Sequence, residues 1–166
     1  TLWSDEERLA IGIYPVRIDT TNKKDEAWYI NTNITYAVDG NEVVGSYGTA
    51  TAKAIDDANA TDEDGVELDP VVVIKGLKTI KKEMIDQQCA GILASSDWRV
   101  IKAKETSTTM NSGWKTWRAS VRTKCNSMQD QIDAVSNVDE LAALFAYTTT
   151  DGVTSRPLGE FPTKDD

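Results

Sequence analysis

The chain has 166 residues, 40% of them hydrophobic and 27% charged, with a net charge of −9 and no histidine. That length suits one domain, or a small domain with an appendage, and can bury a core without disulfides or metals. The lack of histidine excludes His-based metal sites, His general bases and most Ser-His and Cys-His nucleophile pairs, and no apolar run approaches the ~18 residues of a membrane span.

The charge is segregated. Residues 75–124 hold eleven basic and four acidic residues, a net +7, which leaves −16 for the remainder. A basic block can bind nucleic acid. Here the acidic flanks would repel phosphate, and the basic residues are spread around their helices instead of lining one face. Charge pairing within the protein, or with a like subunit, is the plainer reading. Neither nucleic acid nor a membrane is expected as a partner.

Ser4-Asp5-Glu6-Glu7 is a capping box, so a helix opens there. Gly12 and Pro15 keep it short. The acidic start does not read as an export signal, although a mature chain with its signal removed fits equally. Trp3, Leu9, Ile11, Ile13 and Tyr14 give this segment a docking face, a peg packed against the core or a neighbouring chain.

From Val16 the pattern is that of strands. Ala27–Ile30 is aromatic and β-branched, Ile34–Val38 alternates, Asp39-Gly40 is a hairpin turn, and Asn41–Tyr47 returns. The spacing predicts a small antiparallel sheet within residues 16–52. Residues 27–47 would form a three-stranded meander whose first bend is Asn31-Thr32-Asn33.

Residues 56–70 carry seven carboxylates with Gly65 and Pro70, an acidic surface loop. Asp62-Glu63-Asp64-Gly65 resembles the middle of a calcium loop. The register fails, because Ala60 and Val71 fall where the first and last ligands belong.

Two helical stretches follow. Leu77, Ile80, Met84, Ile85, Cys89, Ile92 and Leu93 form the first apolar stripe, ending near Ala94. Trp114, Trp117, Val121, Cys125, Met128, Ile132 and Val135 form the second, with steps of three and four residues. Between them come the Ser95–Trp98 turn, an extended piece at Arg99–Lys104, a loop, and a cap at Asn111 or Ser112. Cys89 and Cys125 read as buried reduced thiols, with a disulfide between the helices as the alternative. A short apolar helix spans Val138–Tyr147. The tail, 148–166, is polar and extended, anchored only by Leu158 and Phe161, and expected to gain order in a larger assembly.

No catalytic constellation stands out, and the carboxylates cluster where they solvate or cap. Five tryptophans raise the option of a sugar-binding surface, but Trp114 and Trp117 sit on the helix stripe and Trp98 at the turn, where core packing is the simpler role. Trp3 and Trp28 are less settled, and Trp3 is the better contact candidate.

Two stretches resemble proteins of tailed bacteriophages. Leu2–Val16 resembles the opening of small tail-associated proteins. Ser96-Asp97-Trp98-Arg99-Val100-Ile101, after a Lys-rich helix and before Trp114, Trp117-Arg118 and Val121-Arg122, is similar to the C-terminal helical part of tail-fibre proteins and tail-fibre assembly chaperones. The match covers the first sixteen residues and roughly 75–125. The acidic loop and the long tail depart from that pattern.

The reading is an α+β fold with a peg and small sheet (1–55), an acidic loop (56–70), a helical domain made of a helical hairpin plus a short helix (71–147) and an extended tail (148–166). The resemblance implies a non-enzymatic virion component on the tail or its fibres, found in the host cytoplasm during assembly. The alternatives are a fibre-assembly chaperone and a carbohydrate- or receptor-binding module. The partners implied are other phage structural proteins or a second copy, with no cofactor. The interface candidates are Trp3, Tyr14, Trp28, Arg118, Arg122, Leu158 and Phe161.

Overall fold

In the computed structural model, which describes residues 3–164, the chain divides into two units, residues 1–53 and 54–166. Leu2, part of the resemblance, lies outside the described residues.

The first unit begins with α1 (Asp5–Ala10). Both halves of its capping box are present: the Glu7 backbone N–H donates to Ser4 Oγ, and the Ser4 N–H donates to Glu7 Oε2 at 2.7 Å. That backbone N–H, and then the Ser4 hydroxyl, hold the Glu7 carboxyl below its usual range. Gly12, at φ +80°, turns the chain out of the helix.

Strands β1 (Val16–Asp19), β2 (Tyr29–Ile30), β3 (Thr35–Asp39), β4 (Glu42–Ser46) and β5 (Thr51–Ala52) follow. The Asp39-Gly40 hairpin forms as predicted, with β3 antiparallel to β4. The rest of the expected meander does not. β1 lies parallel to β4, giving a mixed sheet of order β1-β4-β3. β2 pairs with β5 instead. The reason lies in Asn31, whose amide bonds both backbone groups of Lys24, accepting at 2.9 Å and donating at 2.9 Å. This closes residues 24–31 into a loop, so Asn31-Thr32-Asn33 cannot serve as a hairpin bend.

The second unit opens with β6 (Ala58–Asn59) antiparallel to β7 (Val73–Ile74). A bridge joins Thr61 to Glu67, so the acidic stretch is the tip of a paired arm instead of an open loop. Asp62 Oδ1 organises that tip by accepting the N–H groups of Asp64 and Val66 at 3.0 and 2.9 Å. Among the described residues no cluster of three potential metal ligands occurs.

The arm leads into α2 (Leu77–Ala94). Asp57 Oδ1 accepts the Gly76 N–H at 2.8 Å, and the carbonyls of Ala54 and Ile55 accept those of Leu77 and Lys78. The donors that a helix start leaves unpaired are thereby satisfied from the preceding segment. The Gly76 N–H, then the Thr79 hydroxyl, lower the pKa of Asp57. The approach is close enough to require glycine, since a Cβ at Gly76 would lie 2.4 Å from the Asp56 backbone.

After α2 come α3 (Asp97–Glu105), α4 (Ser112–Ala134) and α5 (Val138–Phe145). Asn111 caps α4, its Oδ1 accepting from Gly113 and Trp114. Leu77, Ile85 and Cys89 of α2 are buried, as are Val121, Cys125, Met128 and Ile132 of α4, with Val138 and Leu141 of α5. Both cysteines are free thiols. Burial, then the neighbouring Cys89, push the Cys125 thiol up to about 12.

Two expectations fail here. The piece predicted as extended, 99–104, is helical within α3. Val100 and Ile101 are both exposed there. What holds α3 is polar: Asp97 in its first turn and the contacts of Arg99 described below. The tail is also not simply extended. β8 (Thr148–Thr150) and β9 (Val153–Ser155) form a hairpin across Asp151-Gly152, both at positive φ as a two-residue turn requires. Beyond it, Leu158 is fully buried. Among the described residues no helix is long and apolar enough to cross a membrane.

Candidate functional site

In the second unit the chemistry collects where α2, α3 and α4 meet. Arg118 of α4 is buried, at 6% exposure. Its Nη1 donates to the Leu93 carbonyl at 2.8 Å and to the Ser96 hydroxyl, and its Nη2 donates to Asp97 Oδ1 at 2.6 Å. One guanidinium thus ties the end of α2 to the start of α3. Arg118 is therefore no exposed interface residue: it is buried, and three of its five donors are spent inside the unit. Arg122, one turn on, is exposed and donates to the Arg118 carbonyl at 3.5 Å.

Beside this clamp is a cavity of about 170 Å³, lined by Trp98, Arg99, Lys102, Thr108, Asn111 and Trp114 among others. The Arg99 guanidinium lies 4.5 Å from the Trp98 ring centre and 4.2 Å from that of Trp114. Lys102 is 6.0 Å from the Trp98 ring, and Lys164 is 5.5 Å from that of Trp114. Cations over indole faces are attracted by the ring quadrupole. The pocket is therefore electropositive with aromatic walls, suited to holding an anion and carrying no nucleophile–base pair. The sequence reading missed it because an extended 99–104 separates side chains that one helical turn brings together. Lys102 follows Trp98 by four residues and Arg99 by three, so it neighbours both once the segment is helical.

The remaining candidates in this unit are internal. Leu158 is core: its N–H donates to the Leu144 carbonyl, and its own carbonyl accepts from Lys124 Nζ at 2.7 Å. Its buried side chain cannot serve as an intermolecular anchor. Phe161 is half-buried, next to Pro162, whose carbonyl accepts the Trp117 indole N–H at 3.0 Å. Trp114 and Trp117 meet edge to face at 5.5 Å and are only half-buried, so the stripe is core from Val121 onward and borders the pocket and the tail before it.

In the first unit the pleat sorts the sheet into two unlike faces. Val16, Val43 and Val38 are in register, as are Ile18, Gly45 and Tyr36. All six lie on one face. Ile34 joins them: a Cβ at Gly45 would meet Ile18, Ile34 and Tyr36 side chains at 2.8–2.9 Å. The other face is mostly polar: it carries Asp19, Thr35 and Ser46, with Arg17 Nε bonded to Glu42 at 3.0 Å, around Val44 and Ala37. The apolar face is exposed: Val16 61%, Tyr36 61%, Val38 65%. Among the unit's described residues Gly45 alone is buried. In the peg, Trp3, Ile11 and Ile13 are at least half exposed and Tyr14 somewhat less. Trp28, half-buried, sits in the turn after Asp25, where its carbonyl accepts the Lys53 N–H.

The chain matches no family model, no curated protein and no solved structure.

Proposed function

We propose that this chain is a non-enzymatic structural component of a bacteriophage virion, attached to the tail or its fibres as an adaptor or accessory subunit. The observation that carries the docking part is the apolar sheet face of the first unit, where Val16, Ile18, Tyr36 and Val38 are exposed and Val43 is half-buried, together with a peg that presents Trp3 and Ile11. Burying one such side chain fully contributes about 1.5–3 kcal/mol, so a neighbouring subunit seated on several of them gains a stable contact. Exposed apolar patches of this kind mark association surfaces. The phage setting rests on the resemblance of the opening residues and of the segment from Ser96 to Arg122.

The test is mass spectrometry of purified virions of a phage that encodes the chain. Stoichiometric presence is expected; absence sinks the proposal. The same surface would suit a fibre-assembly chaperone, and co-expression separates the two. A chaperone is required for soluble fibre, whereas an adaptor is dispensable for it and stays bound in the particle.

A further inference from the structure

The cavity beside α3 has a composition that the docking role does not use. Its Arg99 guanidinium lies over two indole rings, 4.5 Å from the centre of Trp98 and 4.2 Å from that of Trp114, which restricts its movement. The structure gives the Arg99 side chain no hydrogen bond and no ion pair within the described residues, so its five N–H donors are pre-set and unspent. Lys102 adds a second cation without a carboxylate partner on the same side of α3. Four other basic residues of this block, Lys75, Lys78, Lys82 and Arg118, each sit on a carboxylate. Arg99 and Lys102, in a concave, Trp-walled site, have no such carboxylate among the described residues.

We propose that this cavity binds a single sugar unit carrying an oxyanion, a carboxylate or a phosphate. The anion engages the Arg99 fork, which suits two oxygens at once, with Lys102 neutralising the remaining charge. The ring packs its C–H face on Trp98, which is 52% exposed. Thr108 and Asn111 border the cavity with groups that suit sugar hydroxyls. Size sets the limit: about 170 Å³ is below the roughly 300 Å³ at which drug-sized sites begin, so one ring fits and an oligosaccharide would extend into solvent. The proposal is independent of the virion reading, and either can fail without the other.

The experiment follows tryptophan fluorescence of the full chain during titration with D-glucuronate, glucose 6-phosphate, glucose, acetate and inorganic phosphate. Saturable binding of one or both anionic sugars is expected, with a Kd in the millimolar range. Which of the two binds tells carboxylate from phosphate. Lys102 is exposed, so Lys102→Met should keep the fold and weaken binding about tenfold, as loss of a charge-assisted contact does. Arg99→Lys keeps a cation beside the two indoles and removes the fork, so it should weaken binding at least about tenfold, with an unchanged circular dichroism spectrum as the control. Equal binding of acetate or phosphate alone would overturn the sugar assignment. Equal binding of glucose would overturn the oxyanion. No response to any ligand up to ~10 mM, or responses indifferent to Lys102→Met, would overturn the site.

Discussion

Arg118→Met separates a structural arginine from an interface arginine. The substitution keeps most of the aliphatic stem, so packing changes little. It removes three donated hydrogen bonds. The Leu93 carbonyl suffers least, because the Ser96 N–H and the Ser96 hydroxyl still donate to it. Ser96 suffers most: it is fully buried, and its oxygen is left with an unmet acceptor, at a cost of about 1–3 kcal/mol. Asp97 is 55% exposed and regains water, so that ion pair is worth roughly 1 kcal/mol after screening. Together these give a loss of about 2–4 kcal/mol, or a fall in Tm of roughly 10–15 °C for a unit of this size. Asp97→Asn should cost no more than about 1 kcal/mol. Urea and thermal unfolding followed by helical circular dichroism read both. If Arg118→Met unfolds within experimental error of the wild type, or Asp97→Asn costs as much, the clamp is not what joins α2 to α3.

Leu158→Ala should destabilise the second unit by about 2–4 kcal/mol in urea melts, because a fully buried side chain is truncated. Trp117→Phe removes the indole donor to the Pro162 carbonyl, and a glutamate-specific protease should then cut after the exposed Glu160 faster, with global stability down by only about 1 kcal/mol. With its thiol raised to about 12, Cys125 should react with iodoacetamide at pH 8 far more slowly in the folded chain than in urea. The same shift makes stability depend on pH. The folded pKa lies above the ordinary value of 9.0, so this contribution is complete below about 9 and drains away toward 12. Cys125→Ala should flatten the alkaline loss in urea midpoints. Val38→Asp on the apolar sheet face should leave the melting of the helical unit unchanged while abolishing association measured by sedimentation; undiminished association would count against the docking surface.

What was legible in the sequence was local. The Ser4 capping box, the Asp39-Gly40 hairpin, the Asn111 cap and the stripe from Val121 to Ile132 each lie within a few turns of chain, and each forms. What was not legible involves partners distant in sequence. Nothing in Val16–Asp19 announces that its neighbour will be β4 and parallel to it. Arg118 and Ser96 are 22 residues apart, and Leu158 and Lys124 are 34 apart. Periodicity tells which side of an element is apolar, not what covers it. The α3 segment failed for a different reason. Its side chains are too polar to leave an apolar stripe: Val100 and Ile101 are both exposed, and the helix is held by Asp97 and the contacts of Arg99.

The two units differ in how they meet the cost of ordering a chain. The second buries large side chains from α2, α4, α5 and the tail, and that burial works against the conformational entropy its backbone gives up. The first has finished only one side of its sheet: Arg17 and Glu42 pair on the polar face, while valines, an isoleucine and a tyrosine stay in water on the other. A sheet so arranged gains most of its hydrophobic stabilisation when something apolar is laid across it. On the proposed reading that something is a neighbouring subunit, so the stability of the first unit is linked by mass action to partner concentration, while that of the second is not. The clamp at Arg118, which lies entirely within the second unit, then protects the anion pocket whether or not the subunit is docked.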